Sequence, residues 1–157
     1  MMTSFEELFR AAKSPVIDYN GQKVMIADRF PVENGDRLIL NLESTNSDFK
    51  QGFSIDITGY CEMDGETFKH GKGIDMIFWE DTMPQQFTMT VFAKIGYVWV
   101  QNFWEHVSHQ GVPSIHKGHN GAAMIVEEIE NGRRYLCNDG KPDDDFDDIV
   151  FTIQKVL

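Results

Sequence analysis

The chain has 157 residues, of which 41% are hydrophobic and 12% aromatic, so it is long enough to form one domain with its own core. Its formal net charge of -11 argues against a protein that neutralises nucleic-acid phosphates with clustered Lys and Arg, and against binding to anionic membrane surfaces. No stretch approaches the ~18 consecutive apolar residues of a membrane helix, and no secretory leader is visible, which predicts a cytoplasmic protein or one released without a signal peptide.

The two cysteines, Cys61 and Cys137, lie far apart and match no metal-binding or redox spacing. We expect each thiol to behave as a small buried hydrophobic group in a reducing compartment. A disulfide between them is the alternative.

The first predicted element is a short helix near the N-terminus. Ser4 and Glu7 have the spacing of a capping box, and the apolar residues that follow share one helical face. These apolar residues are Phe5, Leu8, Phe9 and Ala12. Pro15 ends the pattern, so we expect the helix to stop before it.

The rest of the chain follows the period of two that is typical of β-strands. The predicted strands are 16–19, 23–27, 37–42, 53–57, 74–79, 87–93, 97–103, 122–129, 133–137 and 149–156. Asn20-Gly21 is a strong hairpin signal, and Asn34-Gly35 indicates another turn. We expect these ten ranges to form about nine short strands without intervening helices, which predicts a mostly β fold, an antiparallel β-sandwich of jelly-roll-like type that forms a single domain over residues 1–157.

An acidic loop precedes the last predicted strand. We use this name for residues 138–148, which contain six aspartates and one lysine. Like charges at this density either stay solvated or hold a cation, and calcium takes about six to eight oxygen ligands, mainly from carboxylates and carbonyls. The residues that alternate within the loop or close it from its ends are Asp139, Asp143, Asp145, Asp147 and Asp148. The sequence therefore predicts a calcium site formed by these five aspartates.

Other residues of the acidic loop shape its expected geometry. Gly140 and Pro142 favour the tight bend that brings the ends together. Phe146 is the one large apolar residue of the run, and we interpret it as an anchor into the core. The loop is not an EF-hand, because the sixth position counted from Asp143 is Asp148 rather than Gly.

The acidic loop resembles the calcium loop of the bacterial two-calcium fucose- and mannose-binding lectins, in which Glu-Asp-Gly is followed by Asp-x-Asp-Tyr-Asn-Asp and the final strand. A similar Gly-Asp-x-Asp-Phe-Asn-Asp signature marks a wider group of bacterial surface β domains. The resemblance covers residues 138–157, and Asp147 stands where the lectins have Asn. It implies calcium as the cofactor and a carbohydrate ligand whose hydroxyls coordinate the ion. It also implies a homo-oligomer, because the chain end of one lectin subunit contributes to its neighbour's site.

Two plainer interpretations of the acidic loop stay open. The aspartates could form a solvated turn that holds no ion. Calcium could also bind only to stabilise the fold, since it would relieve the mutual repulsion of the six carboxylates without presenting any ligand.

Four of the five histidines lie between residues 106 and 119, in the longest segment without a predicted strand, 105–121. His106 with His109, and His116 with His119, have His-x-x-His spacing, and neutral imidazoles suit zinc, nickel or copper. Glycine and proline interrupt the segment, so we favour a polar surface loop. A metal-dependent enzyme that uses this segment is the alternative.

The same region contains aromatic and polar residues that suit a ligand pocket. Sugars stack on aromatic rings, and their hydroxyls hydrogen-bond to polar groups. The predicted ligand-binding residues are Trp99, Phe103, Trp104, His106, His116 and Asn120. Ser114 lies close to His116 in sequence but belongs to no nucleophile motif.

Three function hypotheses follow from these patterns. The first is a calcium-dependent binding module, with carbohydrate as the first ligand to test. The second is the metal-dependent enzyme based on residues 106–119. The third is an acidic interaction protein with a protein partner, such as an immunity protein that masks a basic toxin.

Overall fold

The computed structural model describes residues 4–117, 122–140 and 145–157. The helix is α1 (Phe5–Ala12), and the strands are β1 (Val16–Tyr19), β2 (Gln22–Met25), β3 (Asp28–Pro31), β4 (Asp36–Thr45), β5 (Lys50–Ile57), β6 (Gly59–Met63), β7 (Glu66–Phe68), β8 (Ile74–Trp79), β9 (Gln86–Ala93), β10 (Tyr97–Val107), β11 (Pro113–His116), β12 (Ala123–Ile129), β13 (Gly132–Asn138) and β14 (Ile149–Lys155). These strands form two antiparallel sheets, which confirms the predicted β-sandwich.

The two sheets differ in size. The larger has nine strands in the order β1-β2-β12-β13-β14-β4-β9-β6-β7, and the smaller has five, in the order β11-β10-β5-β8 with β3 also paired to β10. Strand β5 pairs with residues 99–105 of β10, so β3 and β11 share the opposite edge of β10. Because β3 pairs with residues 97–100 and β11 with residues 104–107, a gap separates the two short strands along that edge.

Four short strands of the structure were not predicted. These are β3, β6, β7 and β11. The hairpin β6–β7 turns at Asp64-Gly65, where both residues have positive φ angles of 51° and 79°, so this dipeptide was an available signal. Strand β11 begins at Pro113, which we had interpreted as an interruption. Proline is tolerated there because it is the first residue of an edge strand.

The main core lies between the sheets. Inward residues of β5 and β10, among them Phe53, Ile55, Val98 and Val100, are fully buried. Phe53 stacks on Phe151 of β14 with 4.0 Å between ring centroids, which joins the smaller sheet to the larger one. The alternation that predicted these strands therefore also predicted which face is inside.

The predicted helix is present and packs against the outer face of the larger sheet. Phe5 and Phe9 are buried with Val24 of β2 and Ala123 of β12 in a second apolar cluster, which also contains Phe146. The helix begins after Ser4 as predicted, but the Ser4 side chain makes no capping hydrogen bond. Packing of the two phenylalanines therefore stabilises this short helix more than its cap does.

A buried polar contact joins β3 of the smaller sheet to β13 of the larger one. The carboxylate of Asp28 accepts hydrogen bonds from Tyr135 Oη at 2.6 Å and from Arg133 Nη1 at 2.9 Å. Burial, followed by the charge and hydrogen bond of Asp28, raises the pKa of Tyr135 well above its usual value. Tyr135 therefore donates this hydrogen bond across the physiological pH range.

Both cysteines are free and buried in the main core, as predicted. Burial raises the pKa of Cys61 to about 11. Burial, together with nearby Asp148, also raises the pKa of Cys137. Within the described residues, no helix is both long enough and apolar enough to cross a membrane.

Candidate functional site

The two ends of the acidic loop lie close together at one end of the sandwich. The backbone N–H of Asp139 donates to Asp148 Oδ2 at 2.9 Å, and the backbone N–H of Asp148 donates to the carbonyl of Cys137 at 3.0 Å. Both carboxylates are buried. The sequence predicted that Asp139 and Asp148 close the loop, and they do so through hydrogen bonds.

The carboxylate of Asp139 is held by Ser47, which lies between β4 and β5, and by Gln51, the second residue of β5. Ser47 Oγ and Gln51 Nε2 both donate to Asp139 Oδ2, the second over 3.1 Å. Gln51 is fully buried, and its Nε2 also donates to the carbonyl of Phe49 at 3.1 Å. Two acceptors on one side of the amide fix its orientation, because only the nitrogen can face them.

Asn46, which precedes Ser47, contacts the C-terminal end of the acidic loop. Its Nδ2 donates to Asp147 Oδ2 at 2.9 Å, and its backbone N–H donates to the carbonyl of Asp148 at 3.0 Å. Residues 46–51 therefore form a seat that contacts both ends of the acidic loop. We use the name loop seat for this segment.

Phe146 is buried, as predicted, but in the cluster with helix α1 rather than in the core between the sheets. Its ring lies 5.4 Å from the ring of Phe5, edge to face. Its φ of 52° lies in the left-handed region, and its N–H donates to Asn138 Oδ1 at 2.6 Å. Asn102 Nδ2 in turn donates to the Asn138 carbonyl at 2.8 Å. The loop is thus attached both to the helix and to β10.

Two buried oxygens near the loop accept no hydrogen bond from any described residue. They are Oδ1 of Asp147 and Oε1 of Gln51. A buried polar atom without a partner costs about 1–3 kcal/mol, and more when it is charged. One of these atoms belongs to the acidic loop and the other to a residue that contacts it, so each leaves an oxygen acceptor unsatisfied at or beside the loop.

The predicted calcium ligands are only partly brought together in the described part of the chain. Asp139, Asp147 and Asp148 contact the loop seat or each other, Asp145 is exposed, and Asp143 lies outside the described residues. Among residues 4–117, 122–140 and 145–157, no three His, Cys, Asp or Glu side chains are arranged to hold a metal ion. The five-aspartate site stays a prediction that depends on residues 141–144.

Gly140 lies in a bend, as predicted, whereas Pro142 is outside the described residues, and Gly140 also allows a close contact with Trp104. A Cβ atom at this position would lie 2.7 Å from Cζ2 of Trp104, so the acidic loop lies directly against the buried indole ring. Glycine is required there for close approach and not for a left-handed backbone.

Three predicted ligand-binding residues meet on the same side of the β10–β11 hairpin. Trp104 pairs with His116 in register, and their rings stack with centroids 5.9 Å apart. The rings of His106 and His116 are 6.2 Å apart, and Phe49 of the loop seat lies 5.3 Å from His106. The acidic loop and the histidine segment, which the sequence analysis treated separately, are therefore neighbours.

The segment we predicted as a surface loop is largely a β-hairpin. Its histidines His106 and His116 lie in strands, and His109 is in the exposed turn. Ser114 Oγ lies 2.8 Å from His116 Nε2 and 3.3 Å from the carbonyl of His106. The pair noted in the sequence is thus in hydrogen-bond contact on an exposed edge strand. His119 and Asn120 lie outside the described residues.

Trp99 and Phe103 lie on the opposite side of β10 from the predicted ligand residues Trp104, His106 and His116. Odd and even positions of β10 face opposite sides of the smaller sheet, so Trp99 points outward while Trp104 points inward. Five residues of strand also separate them by about 16 Å. The predicted ligand pocket is therefore divided between two places.

The outer face of the smaller sheet carries a cleft around Trp99. Its volume is about 250 Å³. It is lined by Ala27, Ser54, Asp56, Asp75, Trp99, Gln101 and Lys117, and we name this set the sheet-face cleft. A second cavity of about 310 Å³ shares Ala27 and Trp99, so open space lies on both sides of this indole.

Electrostatics within the sheet-face cleft are set by two facing carboxylates. Asp56 of β5 pairs in register with Asp75 of β8. Partial burial and then the charge of Asp75 raise the pKa of Asp56, while Lys117 offsets part of this rise. On the other side of Trp99, the Arg29 guanidinium lies 5.0 Å from the ring centroids of both Trp99 and Tyr97.

Sequence reasoning missed the loop seat and most of the sheet-face cleft. Gln51 and Asn102 sit at inward positions of strands whose other inward residues are apolar, and a polar residue in such a place was the available signal. Ser54, Asp56 and Gln101 gave no such signal, because polar residues on the outward face of a strand are too common to indicate a site.

Comparisons of the chain with protein-family models, curated proteins and solved structures find no match.

Proposed function

We propose that this protein is a calcium-binding β-sandwich module in which the acidic loop holds the ion, and that its ligand is a carbohydrate. The observation that carries the calcium proposal is the buried Oδ1 of Asp147, which accepts no hydrogen bond from any described residue. A divalent cation bound to this carboxylate oxygen would compensate its negative charge in place of the missing hydrogen-bond donor.

A second unsatisfied oxygen among the residues that contact the loop supports the same conclusion. Gln51 Oε1 is also buried and receives no donor from the described residues, and amide oxygens are common calcium ligands. The amide cannot turn to use its nitrogen, because that nitrogen already donates to Asp139 and to the Phe49 carbonyl. Calcium accepts a mixed set of carboxylate and amide oxygens more readily than zinc does.

The two buried carboxylates at the loop ends fit this proposal as well. Asp139 and Asp148 use oxygen atoms to accept hydrogen bonds, and each carboxylate has about four lone-pair positions, so coordination and hydrogen bonding are compatible. In this arrangement the hydrogen bonds would hold the loop ends in place before an ion binds.

Melting curves of the full chain with calcium, with magnesium and with chelator test the calcium proposal. At a calcium concentration ~100 times the dissociation constant, we expect a gain of about 2.7 kcal/mol, or several degrees. Magnesium should give less, because it requires a more regular octahedral site. A melting temperature that calcium leaves unchanged in metal-free protein would contradict the proposal.

Two matched variants locate the ion. Asp147→Asn should remove most of the calcium-dependent shift, because it neutralises the carboxylate whose oxygen is unsatisfied. Asp18→Asn changes the net charge equally at an exposed position of β1 and should leave the shift intact. Equal loss in both variants would indicate diffuse electrostatic attraction instead of a coordinated ion.

The carbohydrate part rests on the neighbouring aromatic residues and on the resemblance of the loop to lectin calcium loops. Trp104 and His116 form a stacked pair against Gly140 of the loop. A glycan array probed with and without chelator tests this part. Signals that disappear with chelator support calcium-dependent sugar binding, and their absence would restrict the loop to a structural role.

A further inference from the structure

The outer face of the smaller sheet combines an aromatic platform with closely spaced hydrogen-bonding groups. Trp99 is half-buried on this face, and it lies in register between Arg29 of β3 and Asp56 of β5. One row further along the sheet, Gln101 pairs with Ser54. An apolar ring surface thus adjoins a carboxylate, an amide and a hydroxyl.

The floor of this face is recessed. Ser54 is 4% exposed although its side chain lies on the outer side of β5. In the next row Gly52 has no side chain, and a Cβ there would lie 2.8 Å from Cε3 of Trp79, so the Trp79 ring lies close against the glycine. The row of Ser54 therefore forms a depression in the outer face of the sheet, with Trp99 in the row on one side of it and Trp79 in the row on the other.

We propose that the sheet-face cleft binds a neutral oligosaccharide, with Trp99 stacking against a sugar ring and with Asp56, Asp75 and Gln101 bonding its hydroxyls. This inference deepens the carbohydrate part of the proposed function and is independent of calcium. A sugar ring offers an apolar face and a rim of hydroxyls, which matches an indole surrounded by acceptors and donors.

Charge selects a neutral sugar over an acidic one or a nucleic acid. The cleft has two carboxylates and only one ammonium group, Lys117, and the chain as a whole has a formal charge of -11. The Arg29 guanidinium lies over the rings of Trp99 and Tyr97. With Arg29 included, the site has two acidic and two basic groups, so it offers a polyanion no net attraction, and the negative charge of the whole chain opposes its approach.

The space suits several sugar units. The cleft of about 250 Å³ continues past Trp99 into the second cavity of about 310 Å³. The second cavity lies beside β3 and is lined in part by Arg29 and Met25. A chain of sugars crossing the sheet would pass over Trp99 near its centre, so this residue should contribute most of the affinity.

Affinity electrophoresis of the full chain in native gels tests the inference. The gels contain hydroxyethylcellulose, mixed-linkage β-glucan, galactomannan or xylan as the probe. We expect at least one polymer to retard the wild-type protein and Trp99→Ala to weaken that retardation about tenfold or more, as for a central aromatic anchor. Trp99→Phe should keep part of it. Gln101→Ala provides a second variant that leaves the platform in place, and it should weaken retardation to a smaller extent.

Phe92→Ala is the matched control. Phe92 is a half-buried aromatic residue on the outer face of the larger sheet, stacked on Tyr60 at 4.7 Å. Its removal should leave the retardation unchanged. The inference is overturned if no polymer retards the wild type, or if Trp99→Ala and Phe92→Ala behave alike.

Chelator separates this inference from the calcium proposal. Retardation that persists in chelator and depends on Trp99 supports the sheet-face cleft, even if the acidic loop holds no ion. Retardation that disappears in chelator and survives Trp99→Ala overturns the inference, because the sugar is then bound at the acidic loop.

Discussion

The acidic loop and the sheet-face cleft differ in how their polar groups are used. In the loop, Asp139 and Asp148 are buried and accept hydrogen bonds that fix the chain. In the cleft, Asp56 and Asp75 face each other and are exposed. The buried aspartates of the acidic loop thus stabilise the fold even without an ion. The exposed aspartates of the cleft remain accessible to a ligand.

Phe146→Ala should have the largest effect on stability and should leave the sheet-face cleft unchanged. Removing a buried aromatic ring costs about 3–5 kcal/mol of unfolding free energy. The contact with Phe5 of helix α1 is lost at the same time. Urea unfolding measures this loss, and retardation by polysaccharide should not change at temperatures where the variant is folded. A loss below that of Phe92→Ala would contradict the role of Phe146 as an anchor.

Asp139→Ala should cost about 1–3 kcal/mol even without calcium, because Ser47 and Gln51 lose their common acceptor. Asp145→Ala removes an exposed carboxylate from the same loop and should change stability by less than about 0.5 kcal/mol in chelator. Denaturation of both variants in chelator measures the difference. Equal stabilities would mean that the loop aspartates act only as a charged patch.

Gly140→Ala tests the contact between the acidic loop and Trp104. The added Cβ would lie 2.7 Å from the indole, and overpacking of this kind costs about 1–3 kcal/mol. Gly96→Ala is the matched control, since a Cβ there meets no atom within 4 Å. If thermal melting shows no difference between the two variants, the loop does not lie against the ring in solution.

The smallest effect is expected for Asp56→Asn, and its sign depends on pH. Burial and Asp75 raise the pKa of Asp56 above its ordinary value of 3.8, so the folded state holds this proton more tightly than the unfolded state. The stabilisation from Asp56 is present below pH 3.8 and is lost as pH rises through the folded pKa. The variant should therefore melt slightly higher than wild type at pH 7 and equally at pH 3.

Asp18→Asn controls for the loss of one negative charge. Asp18 pairs in register with Lys23 instead of another carboxylate, so its neutralisation should give no gain at pH 7. A gain as large as that of Asp56→Asn would mean that overall charge, and not the facing pair, determines the effect.

The fold was more predictable than the sites because alternation along a strand is a local signal. Val98 and Val100 predicted the inward face of β10, and the hairpin at Asn20-Gly21 has positive φ angles at both residues as expected. The short strands β6 and β7, which end the larger sheet, carry little apolar alternation, so only their turn could have indicated them.

The sites depend on contacts between residues that are distant in sequence. The acidic loop was visible as a motif, but Ser47 is 92 residues and Gln51 is 88 residues from Asp139. Likewise, the sheet-face cleft arises only once β5, β8 and β10 are placed side by side. The sequence could therefore indicate where charge is concentrated, but not which of the charged side chains are buried and hydrogen-bonded in the fold.

The positions of two tryptophans give the protein a built-in optical readout. Trp104 is buried against Gly140, so displacement of the acidic loop would admit water and shift its fluorescence emission to longer wavelength. Trp99 lies in the cleft and would change in intensity when a sugar covers it. With the third tryptophan replaced by phenylalanine, one emission spectrum would follow the loop and the cleft separately, without any added label.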